Sequence, residues 1–258
     1  MKIGLYVNKS KDTELKLTNI VISQIKEKSF EYNFIEQSNE KNYDIIITIG
    51  GDGTLLNVVD LAAKNNIPVF GINAGRLGYL TEGNKDNIVE ELKKIFEKNY
   101  KIEKRFLLQT TIDQRTYLAL NDICLIRNGF NIINLDVYID QVFAQNYRSD
   151  GIILSTATGS TAYSLSAGGP VVEPNLNMIM ITPICPHSLY SRTLILNPDR
   201  KVMIVNNNNN TLLTIDGKEI TPLYEKQKIC VTTSSYYLNL IRVNNTNFYN
   251  VLREKLKG

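Results

Sequence analysis

Asp52 lies inside a glycine-rich turn, residues 50–54 with the sequence GGDGT, which directly follows a run of β-branched residues. The run Asp44–Ile49 predicts a buried strand, and the apolar residues after the turn predict a helix. Glycines let the backbone approach a ligand closely, and free N–H groups at a helix start attract anions. A carboxylate beside bound phosphate is unfavourable unless it handles a proton, a metal ion or a hydroxyl group. The turn therefore predicts a phosphate site in which Asp52 is a reacting group or orients one. The alternative is an ordinary turn in which Asp52 is the helix N-cap.

A second polar, glycine-rich segment, Ser155–Pro170, is dense in hydroxyl groups and has no net charge. Hydroxyls and backbone N–H groups can bind ribose hydroxyls and amide edges without repelling a charged ligand. A flexible linker is the alternative. The interleaved Tyr163 and the charged Arg148 and Asp150 just before the segment favour a binding role instead.

The first hundred residues alternate between strand and helix patterns, which indicates a parallel sheet with flanking helices. We predict an α/β domain over residues 1–100. Its predicted strands are Lys2–Val7, Tyr32–Ile35, Asp44–Ile49 and Pro68–Ile72, and its predicted helices are Asp12–Lys28, Gly53–Lys64 and Lys85–Lys98.

After about residue 100 short β-branched or alternating segments follow one another, which predicts an all-β sandwich over residues 101–245. Asn206–Asn210 is interpreted as a hairpin tip, and residues 246–258 as a helix that packs back on the first domain. The predicted strands are Phe106–Ile112, Tyr117–Ile126, Ile132–Ile139, Gly151–Ser155, Leu194–Leu196, Lys201–Val205, Leu212–Ile215, Ile229–Thr233 and Tyr237–Val243.

Composition excludes several classes of protein. The 258 residues carry a formal net charge of +3 without a basic tract, which does not indicate nucleic-acid binding. No stretch approaches 18 apolar residues, so no membrane span is expected. The three cysteines are odd in number and far apart, typical of free thiols in a reducing cytoplasm. His187 is the single histidine, which excludes a multi-histidine metal site; it is either a polar loop residue or a ligand contact.

Further motifs follow the GGDGT turn in a characteristic order. They are NAGRLGY at 73–79, Asn121-Asp122, RSDG at 148–151, TGSTAYSLSAGGP at 158–170, Pro186-His187 and Asp216-Gly217. With these motifs the sequence resembles the bacterial members of the ATP-NAD kinase family over nearly its whole length. The resemblance implies an N-terminal α/β domain, a C-terminal β-sandwich, and a cytoplasmic homo-oligomer, a homotetramer or at least a homodimer.

The resemblance also implies a reaction, in which the γ-phosphoryl group of ATP, with Mg²⁺, moves to the 2′-hydroxyl of the adenosine ribose of NAD to make NADP. Asp52 would accept or orient the hydroxyl proton. Asn121 and Thr158 would contact adenine, Asp122 the ribose hydroxyls and Asp150 the nicotinamide portion. The other substrate-binding residues implied are Gly50, Gly51, Gly53, Thr54, Arg76, Arg148, Thr161, Ala162, Tyr163, Ser166, His187 and Lys218. Protein ligands to the metal are not identified.

Four positions depart from the family pattern. Asp122 replaces the usual Glu and has a shorter reach to a ribose hydroxyl. Tyr79 replaces a Phe, and Ala157 replaces a Pro. Lys218 replaces a common Gln, so a contact carried over to this position is the least secure. None of these changes removes the expected reacting centre.

Two rival functions remain at this stage. A lipid or other small-molecule kinase shares the GGDGT turn, but it would need an apolar entry groove or an amphipathic surface helix. A dinucleotide sensor or dehydrogenase would use a Rossmann fingerprint, which the sequence Gly51-x-Gly53-x-x-Leu56 imitates. The third small residue of that fingerprint is missing, because Leu56 occupies its place.

Overall fold

The chain forms two compact units in a computed structural model, which describes residues 1–37, 41–75, 78–188, 191–244 and 247–257. The first unit is Met1–Lys104 together with Leu238–Gly258, and the second is Arg105–Tyr237. Among the described residues, no helix is long and apolar enough to cross a membrane.

The first unit is a parallel sheet with helices, as the sequence predicted. Strand β1 pairs with β2 and β3, β3 pairs with β4, and β4 pairs with β5, all in parallel. The elements in chain order are β1 Lys2–Val7, α1 Lys16–Glu27, β2 Glu31–Phe34, β3 Ile45–Gly50, α2 Asp52–Leu55, α3 Val59–Lys64, β4 Val69–Asn73, β5 Gly83–Asn84 and α4 Ile88–Phe96.

The core of the first unit is formed by apolar residues of its strands and helices. Their spacing in the sequence matches the repeat of the strand or helix that carries them. All six residues of β3 are buried, which is typical of a parallel strand covered on both faces. Helix α1 buries Leu17, Val21 and Ile25 at helical spacing. It begins four residues later than predicted, because Asp12 stays outside the helix. The Asp12 carboxylate accepts the N–H groups of Leu17 and Thr18 in the first helical turn.

The prediction of one continuous helix over Gly53–Lys64 is wrong. Two short helices, α2 and α3, flank a 3-10 turn at Leu56–Val58. The Asn57 side chain donates to the Gly53 carbonyl at 3.2 Å, which competes with the regular helical bond to that carbonyl. The turn after β3 is therefore followed by a single helical turn rather than by a long helix.

The second unit is an antiparallel β-sandwich, and the predicted fold class is confirmed. Its elements are β6 Lys101–Ile112, β7 Arg115–Ala119, β8 Asp122–Arg127, β9 Ile133–Ile139, β10 Val142–Ser149, β11 Gly151–Ser155, α5 Tyr163–Ser166, β12 Ile179–Ile184, β13 Leu194–Leu196, β14 Val202–Asn206, β15 Thr211–Ile215, β16 Lys218–Leu223 and β17 Lys228–Arg242. One sheet has the order β13-β12-β11-β8-β15-β16, and the other contains β10-β9-β14-β17.

The sandwich core combines buried residues from both of these sheets. Leu135, Val137 and Ile204 from one sheet belong to the same apolar cluster as Leu125 and Leu154 from the other. Alternate residues of β9 and β14 are buried, which is the pattern of strands with one covered face.

Two connections differ from the sequence predictions. The predicted strand Tyr117–Ile126 is two strands, because β7 pairs with β6 whereas β8 pairs with β11 and β15. The predicted hairpin at Asn206–Asn210 is wrong as well. Strand β14 pairs with β9 and β17, but β15 pairs with β8 and β16, so this segment crosses from one sheet to the other.

The last strand and the last helix return to the first unit. Strand β17 is continuous, where the sequence predicted two strands, and its residue Leu240 pairs in parallel with Val69 of β4. Helix α6, Phe248–Leu256, belongs to the same unit. Its Phe248 ring lies 6.0 Å from the Tyr79 ring, measured between centroids.

Candidate active site

Asp52 is the first residue of α2, and the N-cap position belongs to Gly51. The turn is held by Thr54, whose hydroxyl oxygen accepts the Gly51 N–H at 3.2 Å and a bond from the Asn8 amide at 3.4 Å. The Asp52 side chain does not cap the helix, so the alternative interpretation of an N-cap aspartate does not describe this residue.

The Asp52 carboxylate is instead held by the segment Tyr79–Thr81. Its Oδ2 accepts the N–H of Tyr79 at 2.7 Å. Its Oδ1 accepts the N–H groups of Leu80 at 3.1 Å and Thr81 at 3.0 Å, and the Thr81 hydroxyl at 3.0 Å. Each carboxylate oxygen has about two acceptor positions, and the three donors at Oδ1 occupy those of that atom. The orientation of the group is therefore fixed, and Oδ2 retains acceptor capacity for a further donor.

Gly78 leaves room for this arrangement. A Cβ atom at Gly78 would collide with Oδ1 of Asp52 and with the Thr81 hydroxyl. Burial, and secondly the charge of Asp52, raise the pKa of the Tyr79 hydroxyl. Gly78 and Tyr79, which approach Asp52, belong to the NAGRLGY segment, whereas Leu80 and Thr81 directly follow it. Arg76 of that segment lies outside the described residues.

The GGDGT turn offers fewer free amides than the sequence suggested. The Gly51 N–H is already bonded within the turn, and the Gly50 carbonyl accepts the Ala74 N–H at 2.7 Å. Gly53 faces open space, since no atom lies within 4 Å of a Cβ built there. The sequence analysis missed Lys11, whose Nζ lies 2.8 Å from the Cβ position of Gly51 and brings a cation to the turn.

In the second unit, the turn between β7 and β8 presents Asn121 and Asp122. The Asp216 carboxylate accepts three successive N–H groups, of Leu120 at 2.9 Å, Asn121 at 2.7 Å and Asp122 at 3.0 Å. Asp216 adopts a positive φ of 48° in the turn between β15 and β16, which lets its side chain reach back over this backbone. Asp216 belongs to a noted motif, but its role was not predicted.

Thr156 holds the carbonyl groups of the same turn. Its hydroxyl donates to the Leu120 carbonyl at 2.5 Å, and its N–H donates to the Asn121 carbonyl at 2.9 Å. Gly159 packs on the opposite side, where a Cβ would collide with the Asn121 backbone. The turn is thus fixed through its N–H groups by Asp216 and through its carbonyls by Thr156.

The carboxylates of Asp122, which is buried, and Asp216, which is half-buried, influence each other. Burial, and secondly the charge of Asp216, raise the pKa of Asp122 from 3.8 to about 7. The Cys124 thiol donates to Asp122 Oδ1 at 3.3 Å and opposes this increase. Burial also raises the pKa of Asp216, while its three N–H bonds and the charge of Lys218 lower it. With a pKa of about 7, the Asp122 carboxyl keeps a proton in weakly acidic solution and loses it near neutral pH.

Tyr163 lies close to both predicted dinucleotide-binding carboxylates. Its ring is 43% exposed, and burial followed by the charges of Cys124, Cys185, Asp122 and Asp150 raises the pKa of its hydroxyl. The structure thus brings together Tyr163, Asp122 and Asp150, which are far apart in sequence. The side chain is flat and apolar with a polar hydroxyl, so a base or ribose can pack on its exposed part.

The remaining residues of the polar segment divide into two groups. Thr158 is buried and accepts a bond from Arg105 at 3.3 Å, and Ser164 bonds Thr182 at 3.0 Å. Thr161 and Ala162 are half-buried and Ser166 is exposed, so these three can reach a ligand.

Asp150 forms an ion pair within the second unit. Its Oδ1 lies 3.0 Å from Nε of Arg127, a residue that the sequence analysis missed. Arg148 is exposed, and its carbonyl accepts the His187 N–H at 2.9 Å. Lys218 is exposed at the start of β16. Within the described residues, no group of three or more His, Cys, Asp or Glu side chains is placed to hold a metal ion.

Known proteins match this chain in both units and over its full length. Residues 3–100 match the ATP-NAD kinase N-terminal domain, and residues 120–243 match the ATP-NAD kinase C-terminal domain. An NAD kinase of Caldicellulosiruptor saccharolyticus is 49% identical over 259 residues, with 100% of both chains covered. Since both domain models and a full-length relative match, the chain belongs to the ATP-NAD kinase family.

Two solved structures are similar to this fold. Yeast NADH kinase complexed with NADH has a TM-score of 0.86 and 26% identity, covering 100% of this chain and 87% of that chain. An NAD kinase from Archaeoglobus fulgidus in complex with ATP has a TM-score of 0.83 and 28% identity, covering 100% of this chain and 99% of that chain.

Proposed function

We propose that this protein transfers the γ-phosphoryl group of ATP to the 2′-hydroxyl of the adenosine ribose of NAD, which yields NADP. The observation that carries this proposal is the Asp52 carboxylate, held by three backbone N–H groups and one hydroxyl beside the glycine-rich turn. Membership of the ATP-NAD kinase family supports the same reaction.

Asp52 acts on the acceptor hydroxyl. Phosphoryl transfer passes through a loose transition state, so catalysis consists mainly of positioning and charge neutralisation. The Asp52 Oδ2 atom, which carries a single bond at 2.7 Å, accepts the ribose hydroxyl and aligns its oxygen for attack on phosphorus. The hydroxyl proton passes to Asp52 Oδ2, the new O–P bond forms, and the bond to the β-phosphate oxygen breaks to release ADP.

Charges near the GGDGT turn hold the nucleotide phosphates. Mg²⁺ bound to ATP would supply neutralisation of the phosphate charge. The open side of Gly53 lets phosphate oxygens approach the backbone, and the Lys11 ammonium group lies beside Gly51. Gly50 and Thr54 also maintain the turn, through the Gly50 carbonyl and the Thr54 hydroxyl.

Residues of the second unit hold the dinucleotide. Asn121 and Thr158 contact adenine, Asp122 contacts the ribose hydroxyls, and Asp150, fixed by Arg127, contacts the nicotinamide portion. Thr161, Ala162, Tyr163 and Ser166 line the bound dinucleotide, and Arg148, His187 and Lys218 lie at its margin. The exposed ring of Tyr163 and its proximity to both carboxylates support this assignment.

We further propose a cytoplasmic homotetramer, or at least a homodimer. The edge strand β10 exposes Val142 by 70% and Phe143 by 54%, and Ile195 of β13 is 53% exposed. Exposed apolar side chains on sheet edges favour association with another chain. Light scattering coupled to gel filtration measures the assembly, and a monomer at micromolar concentration would contradict it.

A coupled assay tests the reaction. Purified protein is mixed with NAD and Mg-ATP, and an NADP-specific dehydrogenase reports the product. A parallel sample contains dispersed diacylglycerol in place of NAD, with labelled ATP. NADP formation without labelled lipid supports the proposal, whereas labelled lipid without NADP establishes the lipid kinase.

A further inference from the structure

Arg242, near the C-terminal end of β17, lies against the segment that fixes Asp52. We propose that Arg242 is a positioning residue for the Asp52 carboxylate and acts through the two peptide groups that join Tyr79 to Thr81. The inference rests on the proposed function, because it concerns the same carboxylate.

The guanidinium group and the carboxylate bind opposite ends of the same two peptide groups. Nη1 of Arg242 donates to the Leu80 carbonyl at 3.1 Å, and Nη2 donates to the Tyr79 carbonyl at 3.4 Å. The Tyr79 carbonyl shares a peptide group with the Leu80 N–H, and the Leu80 carbonyl shares one with the Thr81 N–H. Both of these N–H groups donate to Asp52 Oδ1, at 3.1 Å and 3.0 Å.

A peptide group is rigid, and in its trans form the carbonyl and the N–H point in opposite directions. A donor that fixes the carbonyl therefore fixes the direction of the N–H in the same plane. Hydrogen bonds in such a chain also polarise one another, which strengthens the bonds to Asp52. Arg242 can thus set the position of a carboxylate that it does not touch.

Two carboxylates orient the guanidinium group. Nε of Arg242 lies 2.7 Å from Glu103 Oε2, and Nη1 lies 3.8 Å from Glu82 Oε2. The Arg242 side chain is 16% exposed and that of Glu82 is 1% exposed. Because these carboxylates already balance its charge, Arg242 orients neutral carbonyls rather than neutralising phosphate. Its planar fork serves two carbonyls and a carboxylate together, which the single ammonium group of Lys cannot do.

The test compares Arg242→Gln and Arg242→Lys with Lys255→Ala. Lys255 places its ammonium group 4.7 Å from the Tyr79 ring centroid, so it touches the same segment through a side chain rather than a carbonyl. We expect Arg242→Gln to lower kcat at least about tenfold, because small misplacements of a reacting group are costly. KM for NAD and ATP should stay within about twofold, as expected for an effect confined to the transition state. Arg242→Lys should be intermediate, and Lys255→Ala close to the wild type.

A double-mutant cycle separates positioning from general destabilisation. If Arg242 acts through Asp52, Arg242→Gln should cause little further loss in the Asp52→Asn background, because the two residues act as a unit. Additive losses, an unchanged kcat, or KM values that rise as much as kcat falls would each overturn the inference. If Arg242→Gln does not fold, Arg242→Lys and Glu103→Gln are subjected to the same cycle and decide it. A wild-type protein that makes no NADP would refute the proposed function instead.

Discussion

The N–H of Asp122 donates to the carboxylate of Asp216 at 3.0 Å, so the Asp216 side chain lies against the start of β8, where Asp122 is buried. The Asp216 carboxylate fixes the backbone, and Asp122 is the residue that we propose contacts the ribose hydroxyls. The first unit has a similar arrangement, in which successive backbone N–H groups donate to the Asp52 carboxylate and orient it.

Replacing Asp52 by Asn should nearly abolish turnover and preserve NAD binding. The amide has similar size, but its NH₂ group would face backbone donors and could not accept the substrate proton. We expect kcat to fall by about 10²–10⁴-fold, the range typical of a lost general base. Steady-state kinetics measures the turnover and calorimetry measures NAD affinity. An equal loss of affinity would show that Asp52 is a structural residue.

Gly78→Ala should damage catalysis through the position of Asp52. The added Cβ collides with Asp52 Oδ1, so the carboxylate must move. We expect kcat to fall by about 10²-fold, the cost of a displacement near 1 Å. Gly75→Ala is the matched control, because a Cβ at Gly75 has no atom within 4 Å. Equal activity of the two variants would contradict this prediction.

Asp216→Ala should weaken NAD binding more than it slows turnover. The change leaves three N–H groups without their acceptor, and each costs about 1–3 kcal/mol if it stays buried. The turn bearing Asn121 and Asp122 should therefore loosen, with KM for NAD rising at least about tenfold because roughly 1.4 kcal/mol of binding is lost. Kinetics and urea unfolding measure the two effects.

Asp140→Ala provides the control for that variant. Asp140 also has a positive φ, of 48°, and also accepts a backbone N–H, that of Lys201 at 3.0 Å. It lies in the exposed turn between β9 and β10. An equal rise in KM for NAD in both variants would mean that any disturbed turn weakens binding.

Asp122→Asn should change the pH dependence of stability. The folded state raises the pKa of Asp122 to about 7, above its ordinary 3.8. The folded protein thus keeps a proton that the unfolded chain loses, and stability from this group decreases as pH rises from about 4 to about 7. The neutral amide avoids this loss, so we expect the variant to gain roughly 2–4 kcal/mol relative to wild type between pH 4.5 and pH 8.

Urea unfolding at both pH values measures this gain. Titratable groups around Asp122 include Asp216, Cys124, Tyr163 and, through Asp216, Lys218. Asp216→Asn removes the facing charge and should shift the same transition to lower pH. A stability difference between Asp122→Asn and wild type that is independent of pH would contradict the assignment of the proton to Asp122.

The fold was predictable where local pattern and burial agree. Strand β3 is a continuous apolar run because both of its faces are covered. Strand β10 was missed because Gln145 and Asn146 interrupt its pattern, and β12 was missed because it contains Pro183. The break between β7 and β8 was missed because the change of sheet there is a tertiary property without a local signal.

The site was predictable only in its local parts. The GGDGT turn marks Asp52 in the sequence itself, and the polar segment marks Tyr163. The partners that orient these groups are distant: Thr81 is 29 residues from Asp52, and Asp216 is 94 residues from Asp122. Thr156 lay inside the predicted polar segment, but nothing local distinguished its hydroxyl from the others.

Because β17 passes from the second unit into the first, it decides which unit has all of its residues first during synthesis. The second unit is contiguous in sequence and is fully translated once Tyr237 has been added. The first unit still lacks Leu240, the neighbour of Val69, as well as Arg242 and helix α6. The sandwich is therefore complete in sequence before the α/β unit, which also needs residues from Leu238 onward. Premature termination just after Tyr237 would leave a finished sandwich attached to an unfinished α/β unit.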